Sequence, residues 1–290
     1  MSREIVSVKI DVIFKKFFTE HEDMLHAFIS DILEIPFESI RRIEIGSQEI
    51  PPETEEGKFS RLDLVLDVDG KAVDVEIQIN KQDDFRERTL FYWAKLYTSS
   101  LQKGQMYQSL KKTIAVIILD YTLFENREQY HTEVVAALKD THEIFSDKFS
   151  IHFFEMGKVK KIQPNDRKTL WMQFIQADTE EKLEQVKEAG GDLMERAVQI
   201  VYDMSADGKT RELARWREKS MLDMRSSLYA AETKGHERGK AEGRAEGEAS
   251  NLIQLVNAAM TNTQKSLAEV LSMLGITQEK YDQSLALLNQ

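Results

Sequence analysis

The stretch from Arg61 to Asn80, RLDLVLDVDGKAVDVEIQIN, limits what this chain can fold into more than any other. Two runs of alternating apolar and polar residues flank Asp69-Gly70, and Asp-Gly in that setting is the strongest short-range signal for a β-hairpin. The pattern predicts antiparallel strands over Arg61 to Val68 and Lys71 to Asn80. A turn made of Asp69 and Gly70 alone sets Val68 opposite Lys71 and fixes the rest of the register. Leu62 then faces Ile77, Leu64 faces Val75 and Leu66 faces Val73, an apolar side that must pack on a core. The other side sets Arg61 against Gln78, Asp63 against Glu76 and Val65 against Asp74.

Two carboxylates directly opposite each other have Cβ atoms ~5 Å apart and destabilise a sheet. Coulomb's law puts the repulsion at about 1 to 3 kcal/mol for effective dielectrics between about 80 and 20. A hard divalent cation, Mg²⁺ or Mn²⁺, would offset it, because such ions take carboxylate oxygens together with waters and phosphate oxygens. The competing reading is a solvated strand face with no chemistry.

A strand acid, a hairpin turn and then Glu-x-Lys or Glu-x-Gln resemble the signature of the PD-(D/E)xK nuclease fold, here Asp63 followed by Glu76-Ile77-Gln78. The wider chain is similar to the Rpn group of that superfamily, recombination-promoting nucleases and transposases. The likeness lies in Lys9-x-Asp11-x-x-Phe14-Lys15, the run from Arg88 to Tyr97 (R-x-x-x-Y-W-A-K-L-Y), Gly104-x-x-Tyr107-x-x-Leu110 and the late run KGHERGKAEGRAEGEA. These motifs are short but collinear over most of the first ~240 residues.

The resemblance implies a restriction-endonuclease-like α/β sandwich whose mixed central sheet carries the acids on one edge, followed by an α-helical C-terminal region. It implies metal-dependent hydrolysis of DNA phosphodiester bonds, linked to recombination or transposition. Asp63 and Glu76 would hold Mg²⁺, with Mn²⁺ as the other candidate and the backbone carbonyl of Ile77 as a further ligand. Asp11, at the start of the first helix, matches an additional acid near the metal, although an aspartate just before an apolar-periodic run also reads as an N-cap. Gln78 would position water or a phosphate oxygen. A glutamine amide is neutral and can neither act as a base nor stabilise charge as lysine does, and Lys81 just beyond the strand would restore a positive charge. Arg88 and Tyr92, on the helix after the acidic strand, would contact DNA. Asp74 reads as a supporting acid or plain surface. The alternative from a different class is a non-catalytic DNA-binding or oligomerisation protein with a nuclease-like fold.

Composition narrows the field. The 290 residues carry a net charge of −11, which argues against a broad basic nucleic-acid surface. Between Lys81 and Lys112, however, seven basic residues stand against three acids, directly after the acidic strand. The absence of cysteine excludes disulfides, thiolate zinc sites and a cysteine nucleophile. No apolar run is long enough for a membrane span and no signal-peptide pattern opens the chain, so a cytoplasmic location with no membrane partner is expected. The six histidines show no cage or triad spacing; His131, His142 and His152 look scattered.

Along the chain, apolar spacing predicts one helix over Asp11 to Leu33, ended by Pro36, and a strand over Ser39 to Ile50. Pro51-Pro52 with the acids after it predicts an exposed loop. A helix over Phe85 to Leu101 would bury Leu90, Trp93, Ala94, Tyr97 and Leu101, leaving Arg88, Tyr92, Lys95 and Ser99 on the opposite side. Thr113 to Asp120 reads as a strand buried on both faces, with strands over Tyr130 to Leu138 and Phe149 to Met156 next. The expected organisation is a nuclease-like domain over residues 1–176, a helical extension over 177–233, a glycine-periodic linker over 234–250 and a helical hairpin over 251–290. Gly235, Gly239, Gly243 and Gly247 would form a seam on a helix, each costing ~1 kcal/mol relative to alanine, so without a partner the stretch should fray. Homo-oligomers joined through the C-terminal helices follow. The last hairpin has the shape of a helix-turn-helix, but Lys280 is the one basic residue of its second helix, poor material for a major groove.

Overall fold

The structure is a computed structural model that describes residues 4–47, 49–50, 60–160 and 166–288. Pro51-Pro52 and the acidic run after them lie outside the described residues. The N-terminal apolar segment forms two helices, α1 (Asp11–Glu20) and α2 (Glu22–Leu33), where spacing predicts one. They break at His21, whose φ of −132° and ψ of 81° lie outside helical space. Both faces of the break still serve one core: Phe14 and Phe18 from α1 meet Phe28 from α2 at ring separations of 6.4 and 4.7 Å. The predicted strand over Ser39 to Ile50 is reduced to β1 (Ile43–Ile45) and β2 (Glu49–Ile50), and β2 pairs with β3 (Ser60–Arg61) in a separate two-stranded sheet.

The hairpin has the predicted register. In β4 (Leu64–Val68) and β5 (Lys71–Gln78), Leu64 faces Val75, Val65 faces Asp74, Leu66 faces Val73 and Val68 faces Lys71. Asp69 and Gly70 have φ of 50° and 80°, the left-handed pair a two-residue turn needs, which glycine supplies without strain. The Asp69 carboxylate adds to the turn by accepting from the backbone N–H groups of Arg41 and Arg42. The open end of the hairpin departs from expectation. The chain bends at Asp63, Arg61 pairs with Glu49 instead of Gln78, and Leu62 joins Val65, Ala72 and Leu96 on the face away from Leu64.

Beyond the hairpin run α3 (Phe85–Ser99), β6 (Thr113–Leu119), β7 (His131–Ala137), β8 (Ile144–Glu155), α4 (Arg167–Gln176), α5 (Glu180–Ala206), α6 (Gly208–Thr263), α7 (Leu267–Leu274) and α8 (Gln278–Leu288). The main sheet has the order β1-β4-β5-β6-β8-β7, with β5, β6 and β8 parallel and the outer pairs antiparallel. Every residue of β6 is buried, as expected of a strand covered on both faces. Its neighbour β5 is also interior, so the acids lie on an inner strand and not on a sheet edge. One face packs Leu64, Val75 and Val116 against Phe14, Phe28, Trp171 and Val198. Over the other lies α3, which contributes Phe85 beside Ile117 and Phe153, and Leu96 beside Val65 and Ala72. This is a mixed sheet between helical layers, a PD-(D/E)xK α/β architecture.

The chain forms two compact units, Met1–Glu218 and Lys219–Gln290. Leu183, Val186, Met194 and Val201 of α5 belong to the main core, so the first part of the helical extension packs with the sheet-bearing unit. Within the second unit, Val256, Val270 and Leu271 form a small core, α7 starts at a capping box of Ser266 and Glu269, and Gly275, with φ of 66°, closes it. The glycine-periodic run is helical throughout and every residue from Leu222 to Glu248 is exposed. No helix among the described residues is long and apolar enough to cross a membrane.

The sheet also assembles histidines that look scattered in sequence. On β7 and β8, His131 Nε2 lies 3.0 Å from His152 Nδ1, and His152 Nε2 lies 2.9 Å from the Ser150 hydroxyl. Ser150 donates to Glu133 at 2.9 Å. A hydroxyl that gives its proton to Glu133 must accept from His152 Nε2–H, so His152 Nδ1 in turn accepts from His131 Nε2–H. Burial disfavours the charged form of both rings. Burial, reinforced by Lys168 and by His152 itself, lowers His131 to about 4, and burial lowers His152 against the opposing pull of Glu133.

Candidate active site

The carboxylates meet where the β4–β5 ladder stops. Past Leu64 the bend turns Asp63 out of strand geometry, and side chains replace the missing rungs. The Asp63 N–H donates to Glu76 Oε1 at 3.1 Å, and the Ile77 N–H donates to Asp63 Oδ2 at 3.1 Å. Gln78 Nε2 donates to Glu76 Oε2 at 3.0 Å. The two acids are thus held together by backbone amides and one side-chain amide. The face that alternation leaves open is in fact roofed by α3: Asp74 is 2% and Glu76 6% exposed, while Asp63 is half-buried. A solvated strand face is therefore ruled out for Asp74 and Glu76.

Burial dominates the electrostatics. It raises Asp63 to about 6, with Asp11 adding to the rise while the Ile77 N–H, Lys15 and Arg217 oppose it. Glu76 is driven well above the usual carboxylate range by burial, then by Asp74 and Asp63. Asp74 is raised by burial and by Asp63, and its Oδ1 is buried with no hydrogen-bond partner. Three neighbouring acids, two of them buried and one of those with an orphaned oxygen, are short of positive charge. Oxygen donors of this kind suit a hard divalent cation. Among the described residues no group of three or more His, Cys, Asp or Glu side chains is arranged to enclose a metal.

A family model described as PD-(D/E)XK nuclease family transposase matches residues 8–231. The chain belongs to this family. Comparison with curated proteins and with solved structures finds no match. Nucleases of the PD-(D/E)xK kind generally use divalent metals, and the family points to DNA as substrate.

The remaining residues singled out by sequence fall into different places. Asp11 is not an N-cap: Ile10 holds that position, and the Asp11 carboxylate is bound by Arg217 of α6 at 2.7 Å. It lies near enough to Asp63 to raise it, but its own charge is already partnered. Lys81 is exposed and sits 3.7 Å from Glu125, beside a cleft of about 560 Å³ that Phe85, Arg86, Phe124 and Arg127 also line. Arg88 and Tyr92 are on the inner side of α3, contrary to the predicted phase. The helix buries Phe85, Thr89 and Leu96, while Leu90 is 52% exposed. Arg88, Thr89 and Tyr92 line a narrow pocket with Asp74, Glu76 and Gln78. Sequence reasoning missed Arg217, which is 206 residues from Asp11 in a charged helical run, and nothing in local spacing marks it.

Proposed function

We propose that this chain is a metal-dependent DNA endonuclease acting in recombination or transposition of mobile elements, working in the cytoplasm. The observation that carries the reading is the pairing of Asp63 and Glu76 through backbone amides beside the buried Asp74. Packing alone would not assemble that cluster, because each acid raises the cost of the next.

Asp63 and Glu76, with the Ile77 carbonyl, would bind Mg²⁺, or Mn²⁺ in its place. When bound, such an ion polarises the scissile phosphate and makes a water acidic enough to attack at neutral pH. The chain's own part is positional. The Ile77 N–H fixes Asp63, and the Asp63 N–H and the Gln78 amide each hold one oxygen of Glu76. Gln78 is thereby oriented by Glu76, leaving its carbonyl oxygen to orient an attacking water, which is an acceptor's role and not a base's. Homo-oligomers joined through the C-terminal helices belong to the same proposal, supported by the exposed glycine-periodic run.

The test is plasmid cleavage by the full chain with Mg²⁺ or Mn²⁺, against an EDTA control, repeated with Asp63→Ala and Glu76→Ala. Metal-dependent nicking should vanish in both variants while far-UV circular dichroism and solubility stay as in the parent. Cleavage retained in either variant removes the mechanism. DNA binding that ignores Asp63, with no cleavage and no thermal shift on adding metal, would leave a nuclease-like fold used for binding alone.

A further inference from the structure

The stretch Gly104-x-x-Tyr107-x-x-Leu110 takes no part in the acid site. It forms the loop between α3 and β6, exposed from Gln102 to Ser109. Lys148, on β8, ties this loop down by donating to the Gln108 carbonyl at 2.9 Å and to the Leu110 carbonyl. Past that tie β8 has no β6 beside it, because their pairing begins only at Thr113 and Phe149. From Ala136 to Ser146 the β7–β8 hairpin is therefore a two-stranded arm, with Ala136 against Ser146 and Ala137 against Ile144. Arm and loop share one end of the sheet, and there stand the three most exposed large apolar side chains among the described residues: Tyr107 at 80%, Phe145 at 78% and Met106 at 73%. Ile144 and Leu138 are exposed on the arm as well. Scattered apolar side chains are ordinary on a surface, whereas aromatics and methionine gathered with charges around them mark a protein contact.

Charge decides the occupant. Residues 138–147 of the arm carry Lys139 against Asp140, Glu143 and Asp147, while residues 101–112 of the loop carry Lys103, Lys111 and Lys112 with no acid. Lys111 is already paired with Asp67, which leaves Lys103 and Lys112 as the basic half. A phosphate backbone would be repelled by the arm. A partner of one sign would meet its own sign on half of the patch. A second copy of this chain does not, because a two-fold axis lays the acidic arm of each copy on the basic loop of the other and makes every contact twice. We propose that two copies associate through this end of the sheet, with Ile144 and Phe145 of each arm seated on Met106 and Tyr107 of the other copy. Gln78 pairs with Leu119 at the far end of β6, six residues from Thr113, so the contact lies about 20 Å from the acid site and leaves it open. This interface is separate from the C-terminal helices and does not rest on the nuclease reading.

Because the chain has no cysteine, single introduced thiols report the contact directly. Tyr107→Cys and Phe145→Cys are made in two differently tagged full chains, mixed at micromolar concentration and mildly oxidised. The disulfide joining one chain of each kind should dominate. A statistical mixture of the three possible products, or an excess of either like-with-like product, overturns the arrangement. Sedimentation equilibrium then compares the parent with Tyr107→Ser plus Phe145→Ser, with thermal melts as the folding control. The double variant should raise the dimer dissociation constant ~30-fold or more, the scale of removing aromatic anchors from an interface. The same pair of substitutions is repeated in a chain carrying Gly239→Leu and Gly243→Leu, where any glycine seam is blocked. A parent that stays monomeric, or association that the double variant leaves unchanged in both backgrounds, overturns the proposal.

Discussion

Acid should loosen the β7 edge of the sheet through the histidine chain, and the size of the effect follows from its environment. Unfolded His131 titrates at its ordinary 6.5, whereas burial holds it at about 4 in the folded protein. A folded pKa below the unfolded one gives stability that is fully present above 6.5 and is lost as pH falls toward 4. The full interval corresponds to about 3 kcal/mol, and because the ring is half-buried, solvent screening reduces this to about 1 to 2 kcal/mol. For a unit of this size that is ~2 to 8 °C in melting temperature. The perturbation is His131→Phe, which keeps an aromatic ring against Phe154, now 4.4 Å away and nearly parallel. It leaves His152 Nδ1 without its donor, a loss of about 1 kcal/mol that applies at neutral pH. Thermal unfolding at pH 7.5 and pH 4.5 is the assay. The variant should start lower at pH 7.5 but fall by ~2 to 8 °C less than the parent on acidification. Equal falls in the two proteins would refute the neutral-chain assignment, since the carboxylates that also titrate in this range are common to both.

Two other outcomes follow from the same physics. Asp63 is raised from 3.8 to about 6, so its contribution to stability is intact below 3.8 and is lost as pH rises through 6. In EDTA at pH 8, Asp63→Asn should therefore melt higher than the parent by the equivalent of about 1 to 3 kcal/mol, and a lower melting point would contradict the burial argument. If the exposed glycine run pairs copies of the chain, Gly239→Leu with Gly243→Leu should shift the full chain toward monomer in sedimentation velocity. Unaltered sedimentation would exclude a glycine seam.

The hairpin was legible because its information is local. Period-two alternation and a left-handed Asp-Gly pair fix register without help from the rest of the chain. Where that help is needed, local reasoning stops. The bend at Asp63 and the loss of the Arg61–Gln78 pair come from the separate pairing of β2 with β3. The rotation of α3 was hidden because Leu90, Phe91, Tyr92, Trp93, Leu96 and Tyr97 make it apolar nearly all round, so periodicity gives no phase. Its outcome matters, since it turns Arg88 and Tyr92 inward over the acids. His131 and His152 became neighbours only when β7 closed on β8. The glycine run, expected to fray without a partner, is continuous helix in the structure.

The grip of Arg217 on Asp11 sets a limit on how far this polypeptide can be shortened. Any fragment ending before that arginine, including one cut after residue 176, would strip Asp11 of its counter-ion and return a bare negative charge to the neighbourhood of Asp63. A minimal fragment must therefore carry the first turns of α6, so the opening of the long helix belongs with the sheet-bearing unit.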